Sequence, residues 1–359
     1  MNLPSSLSWL VDAASTVPGA DRFLAELGAR LVADGVPLAG GALTLSVPDP
    51  IIARRTWLWR SDTGAVIEGL GFASAPGLTL GGSGDAGRAW LAALAPGTMQ
   101  EDAAGPDGAL LGWIGARAFT AAEAEQVREA ARFAAAPLAA LAARATLRAA
   151  LDAYLGRRSA ARVLAGPLRR NIGETIRAAL LYADLRGFTT LSETAAPAEV
   201  IAALDGWFDR VAGAVHAFGG EVLKFIGDGV LAIFPVGEES PRRACESALH
   251  AVAAVRAGMA HLDAARAQQG KPPLPFGMAL HLGEILWGNI GAADRLDFTA
   301  IGPAVNLVSR LEGLCRPLDR GVLVSGAVAA ETELPLVPLG THVLRGIAVP
   351  CSVFTLPDG

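Results

Sequence analysis

The sequence predicts an α+β chain in two parts, a small α/β domain followed by a ferredoxin-like domain, and three observations carry that reading. From residue 176 onward the apolar pattern runs strand, helix, strand, strand, helix, strand, the order of a βαββαβ arrangement with additions. Two β-branched runs in EVLKFIGDGVLAIF (221–234) meet at Gly227-Asp228-Gly229, a hairpin whose turn needs the positive φ of glycine. Upstream, short strand-like runs among Gly- and Pro-rich loops close on a long alanine-rich helical stretch.

In chain order, GALTLSV, RRTWLWR and GALLGWIGARA read as strands. From about 118 the text turns helical; Thr120 is the N-cap and Glu123 completes a capping box. Pro137 is expected to kink or break that run. Residues 150–175 read as a linker helix and a basic turn. AALLYADLRGF is a strand ending in a charged turn, and PAEVIAALDGWFDRVAGAVHAFGG is an amphipathic helix closed by glycine. The hairpin follows, then the helix PRRACESALHAVAAVRAGMAHLDAARAQQG. FGMALHLGEILWGNIG supplies one or two strands, PAVNLVSRLEGLC a helix, and GVLVSG and VFTL the closing strands. The expected boundaries are an N-terminal domain over 1–145, a linker helix over 146–175 and a second domain over 176–359.

Composition narrows the function classes. Hydrophobic residues make up 52% of the 359, and mean hydropathy is +0.39, much of it alanine. No run of 18 or more uncharged apolar residues occurs; the best stretch, 69–84, is full of Gly, Pro and Ser and is not expected to span a membrane. The N-terminus lacks the basic start and apolar core of a signal peptide. Three scattered cysteines, Cys245, Cys315 and Cys351, fit neither a disulfide framework nor a zinc site. The expectation is a soluble, cytoplasmic, reduced protein. A net charge of −5 argues against a general nucleic-acid binder but leaves a phosphate-bearing small molecule open.

The charged residues inside these apolar runs hold the chemistry. Past Glu221 at its start, Lys224 and Asp228 are the only charges inside the hairpin, and Asp184 sits where the first strand ends, in YADLRGFT. In a ferredoxin-like sheet these strands can lie side by side, so the two carboxylates can converge. With a backbone carbonyl they would make a hard-oxygen site for Mg²⁺ or Mn²⁺; equally, each aspartate can simply cap its turn. Asn306 and Arg310 fall four apart on one helical face, offering directional hydrogen bonds and a fork for phosphoryl oxygens, or else a solvated polar stripe. Lys224 reads either as a functional donor or as an edge-protecting lysine. His216 and His281, on apolar stretches, read as core or surface histidines.

YADLRGFT, LKFIGDG and DFTAIGPAVNLVSRLE occur in this order, at spacings of roughly 40 and 70 residues. Together they resemble the catalytic domain of the class III nucleotidyl cyclases, in its threonine-type subgroup, over about residues 176–357. The resemblance implies that Asp184 and Asp228, with the carbonyl of Leu185, hold two ions of Mg²⁺ or Mn²⁺ per site. It implies that Lys224 and Thr299 read the base, Asn306 positions the ribose and Arg310 stabilises the transition state at the α-phosphate. Arg345, in VLRGI, matches the residue that holds the terminal phosphates. Active sites in this family form across a head-to-tail dimer, so a homodimer through these domains is expected, with Lys224 and Asp228 serving two different sites. Lysine donates and cannot accept, so ATP is the expected substrate and cyclic AMP the product. Thr299 departs from the commoner Asp, and Asp297, two residues earlier on the same strand face, is the candidate to compensate. The threonine subgroup also implies a bicarbonate response.

The alternatives are a guanylate or purine-relaxed cyclase, disfavoured by Lys224, and an inactive nucleotide-binding regulatory partner. The latter usually lacks one of the four residues Asp184, Asp228, Asn306 and Arg310. The sequence carries no GGDEF-type turn, against a diguanylate cyclase. In the N-terminal half, LLGWIGARAFTAAEAEQVREAARFAAAPLAAL resembles the last strand and helix of GAF-like sensor domains, implying a regulatory module for an unknown ligand or partner.

Overall fold

Helices α1 (Ser5–Asp12) and α2 (Ala20–Ala33) precede β1 (Leu38–Ser46), β2 (Ile52–Arg60) and β3 (Val66–Phe72). After α3 (Asp85–Leu94) come β4 (Met99–Ala103), β5 (Leu110–Gly115) and the long helix α4 (Ala121–Leu155). The computed structural model describes residues 3–46, 52–72, 85–105, 108–166, 169–170, 172–238, 240–292 and 294–357. They fall into two units, Met1–Ala150 and Leu151–Gly359. Most of the stretch 69–84 weighed above as a span lies outside the described residues.

The first unit is an antiparallel sheet in the order β3-β2-β1-β5-β4. Its core joins Phe23, Leu24, Leu27 and Leu31 of α2 to Leu43, Leu111 and Trp113 of the sheet and to Val127, Ala130, Ala134 and Leu138 of α4. The capping box forms: the Thr120 N–H donates to the Glu123 carboxylate at 2.8 Å, and the Glu123 N–H donates to Thr120 Oγ1 at 3.3 Å. Arg117 pairs with the same carboxylate and holds the Glu123 pKa down, at about 2.

Pro137 does not break α4, which runs unbroken over 35 residues. The proline is buried against the core of its unit and flanked by alanines, the best helix formers, so packing and propensity offset the lost hydrogen bond. By length and composition α4 is also long and apolar enough to cross a bilayer, although residues of its first half are packed in the core.

The second unit opens with α5 (Arg157–Ala165) and continues β6 (Ile172–Leu185), α6 (Phe188–Thr194), α7 (Pro197–Ala217), β7 (Glu221–Ile226), β8 (Gly229–Pro235) and α8 (Pro241–Gln268). It ends with β9 (Phe276–Gly291), β10 (Leu296–Ile301), α9 (Pro303–Glu312), β11 (Val322–Ser325), α10 (Gly326–Ala329), β12 (Val337–His342) and β13 (Cys351–Thr355). The sheet order is β12-β13-β11-β9-β6-β8-β7, with β10 paired to β9. Its antiparallel quartet β9-β6-β8-β7 is the spatial order of a ferredoxin-like sheet, and the fold class is α+β.

Both faces of this sheet are covered, which explains the unbroken apolar run in β6. Ala179, Leu181 and Ala183 face a core built with Trp207, Val211 and Val215 of α7 and Val252 and Val255 of α8. Ala178 and Leu180 face the opposite core, with Val308 and Leu311 of α9.

Helix α5 is fixed to the hairpin by an unusual cap. Glu221, the first residue of β7, is 3% exposed, and its Oε1 accepts from the Ser159 N–H at 2.8 Å and the Ser159 hydroxyl at 2.6 Å. The chain enters α5 through Gly156, whose φ of 80° is the left-handed conformation that glycine adopts freely. Arg162, one turn on, lies over the Trp287 ring of β9 at 4.5 Å.

Candidate active site

Asp184 is the penultimate residue of β6, and Asp228 occupies the two-residue turn between β7 and β8. Because β6 pairs with β8, Ala183 opposite Val230, the two side chains converge and share a hydrogen bond. Gly227 supplies the positive φ, 64°, that the turn requires. Trp207 of α7 is fully buried and donates its Nε1–H to the Asp228 carbonyl at 2.9 Å, fixing the turn to the core.

Burial, then the hydrogen bond and charge of Asp228, then the charge of Glu312 push the Asp184 pKa up to about 8. Glu312, at the end of α9, is itself raised by burial, opposed by Arg186 and reinforced by Asp228. Tyr182, on β6 two residues before Asp184, is raised by burial and by the same three carboxyls. Gly277, opposite Asp184 in the β6–β9 register, leaves the room that Glu312 fills; a Cβ there would collide with its carboxylate.

Two hard-oxygen carboxyls brought this close suit a divalent cation, whose charge would offset their repulsion. Leu185 is buried next to Asp184. Among the described residues no group of three or more acidic, His or Cys side chains is gathered closely enough to hold a metal ion. Further ligands would therefore come from backbone and substrate.

A second group lies away from the aspartate pair. Lys224, on β7 just after a register shift, forms an ion pair with Asp297 of β10. Thr299 follows two residues on along the same strand, opposite Gly288 of β9, and is buried. Asn306 and Arg310 are exposed on α9, and Arg345 is exposed beside buried Leu344. Among the described residues neither Arg310 nor Arg345 forms an ion pair, and no hydrogen bond joins either, or Asn306, to the aspartates. The single chain thus joins Asp184 to Asp228 and Lys224 to Asp297, and leaves Asn306, Arg310 and Arg345 facing outward.

Sequence reasoning missed Glu312, Tyr182 and Trp207. Glu312 had a signal: two residues after Arg310 on a helix, it must point to the other side, into its own domain. His281 is a core histidine, bonded through Nδ1 to Ser325 Oγ at 2.9 Å and held neutral by burial, with a pKa lowered to about 4.

Residues 172–333 match the family described as the adenylate and guanylate cyclase catalytic domain. Adenylate cyclase 1 of Rhizobium meliloti (strain 1021) is 34% identical over 176 residues, which are 48% of this chain and 26% of that protein. Adenylate cyclase 2 of the same organism is 30% identical over 210 residues, 57% of this chain and 56% of that protein. The chain thus spans about a quarter to a half of the length of these relatives. Among solved structures, the adenylyl cyclase CyaB from P. aeruginosa matches at 25% identity and a TM-score of 0.45, over 52% of this chain and 97% of that one. The similarity to the adenylate and guanylate cyclase catalytic domain thus lies in the second unit, over residues 172–333.

Proposed function

We propose that the protein is an adenylate cyclase that converts ATP to cyclic AMP and pyrophosphate at sites shared between two copies of the chain. The observation that carries this reading is the Asp184–Asp228 pair, closed by the hairpin that also bears Lys224. Asp184, Asp228 and the Leu185 carbonyl would hold Mg²⁺ or Mn²⁺, two ions per site, which when bound supply positive charge to the reacting and leaving oxygens.

The remaining work falls to side chains. Lys224 donates to the adenine ring and Thr299 offers an acceptor to the base. Asn306 holds the ribose so that its 3′-oxygen faces the α-phosphorus. That oxygen forms the new P–O bond as the bond to pyrophosphate breaks, and its proton passes to Asp184 or to water. Arg310 meets the charge that develops at the α-phosphate, where it lowers the barrier most. Arg345 steadies the terminal phosphates. The outward, unpaired placement of Asn306 and Arg310 supports a site completed by a partner copy, since neither touches the aspartates of its own chain.

The first unit is proposed as a regulatory, GAF-like module acting through the intervening helix, and the protein as cytoplasmic. Purified protein incubated with ATP or GTP and either metal, with cyclic nucleotides quantified, tests the reading. Cyclic AMP from ATP alone supports it; cyclic GMP in comparable amount would favour a purine-relaxed enzyme; no product under any condition would leave a regulatory nucleotide binder.

A further inference from the structure

Lys224 and Asp297 join two strands that do not hydrogen-bond to each other, β7 and β10. Their side chains remain 39% and 43% exposed, whereas Thr299, on the same strand face, is only 7% exposed. An ion pair this open contributes little to folding. What it does is place an acceptor-only carboxylate against a donor-only ammonium at an accessible site. The register shift between Val222 and Lys224 re-aims the lysine within β7, and the regular β9–β10 ladder fixes Asp297 opposite Ile290.

Adenine presents a matching pair on its Watson–Crick edge, the N1 acceptor beside the exocyclic N6 amine donor. Resting on the proposed cyclase reading, we infer that Asp297 is a specificity-determining binding residue of this chain. Its carboxylate accepts from the N6 amine of adenine and holds Lys224 in position to donate to N1. Thr299, largely covered and offering a neutral hydroxyl, is the lesser acceptor. A carboxylate gives a charge-assisted hydrogen bond, roughly twice as strong as a neutral one.

The test is a cycle between protein and base. Affinity is read by displacement of a fluorescent ATP analogue in the presence of Mn²⁺, and turnover by cyclic-nucleotide formation. The competitors are ATP and purine riboside triphosphate, which lacks the amine. For the unaltered protein, and for Thr299→Ala, removing the amine should weaken binding about 10- to 100-fold. For Asp297→Ala the same change should cost at most about twofold, because the partner of the amine is gone. Asp297→Asn, nearly isosteric, should fold as the parent does and lower the ATP-to-GTP preference.

An equal amine penalty in the parent and Asp297→Ala proteins would overturn the assignment, even if cyclic AMP is made. Collapse of the penalty without any cyclic product would uphold Asp297 as the reader of the amine while removing the cyclase reading. No displacement by ATP at all would overturn both.

Discussion

Replacing Asp184 with Asn should stabilise the metal-free protein in alkaline solution while destroying its activity. Burial and Asp228 hold the Asp184 carboxyl protonated up to about pH 8. A raised carboxyl pKa means that the folded state binds the proton more tightly than the unfolded chain. The resulting stabilisation is complete below the ordinary carboxylate range, near pH 4, and is lost as pH rises through about 8. A shift of about four units would correspond to about 6 kcal/mol for a fully dehydrated group. The carboxyl is half-buried, and solvent screening reduces the effect to about 2 kcal/mol.

Asparagine carries no charge to suppress, so its advantage should grow from nothing near pH 4 to about 2 kcal/mol at pH 9. For a unit of about 200 residues that is a rise in Tm of roughly 4–8 °C. Calorimetric scans of both proteins at several pH values in EDTA would read this directly. Repeating them with Mn²⁺ should reverse the order, because only the parent retains both carboxylates; at 100 times its Kd an ion adds about 2.7 kcal/mol. A gap that does not vary with pH, or an Asn variant less stable at pH 9, would refute the account of a suppressed charge.

Asp228→Ala should reduce turnover to background while secondary structure by circular dichroism is unchanged; appreciable residual activity would remove the metal role. Mixing inactive Asp184→Ala and Arg310→Ala chains should restore part of the activity, since a mixed pair regains one intact site. Absence of rescue, with subunit exchange verified by mass spectrometry, would count against shared sites. Trp207→Phe, which deletes the donor to the Asp228 carbonyl, should lower the unfolding free energy by about 1–3 kcal/mol and weaken Mn²⁺ binding. An unchanged metal affinity would show that the turn holds its shape without that bond.

Much of the second unit was legible because its signals are local. The Gly-Asp-Gly turn, the glycine closing α7 and the apolar run of β6 each follow from a few neighbouring residues. The convergence of Asp184 and Asp228 followed from strand order alone. What escaped depends on distant partners. Glu312 matters because Gly277, on another strand, leaves space for it, and Trp207 because its indole reaches a carbonyl in a later turn. Pro137 was misread for the same reason: a local rule forbids proline within a helix, and burial against distant residues overrode it. The bond between Lys224 and Asp297 spans 73 positions and could be suspected only from the strand face that Asp297 shares with Thr299.

The Glu221 cap on α5 also dictates where this chain can be cut and rejoined. Glu221 is nearly inaccessible, and its second oxygen has no hydrogen-bond partner among the described residues, so the Ser159 bonds are what make its burial tolerable. A chimera that grafts a foreign input module upstream of Gly156 carries the cap with it. One joined at 166–170, where the sequence looks like an ordinary linker, strips the partner from Glu221 and leaves that buried side chain without its hydrogen bonds at the base of the hairpin that carries Lys224 and Asp228. For anyone building switchable enzymes from this scaffold, the segment to keep begins no later than Gly156, sixteen residues before the first strand of the second unit.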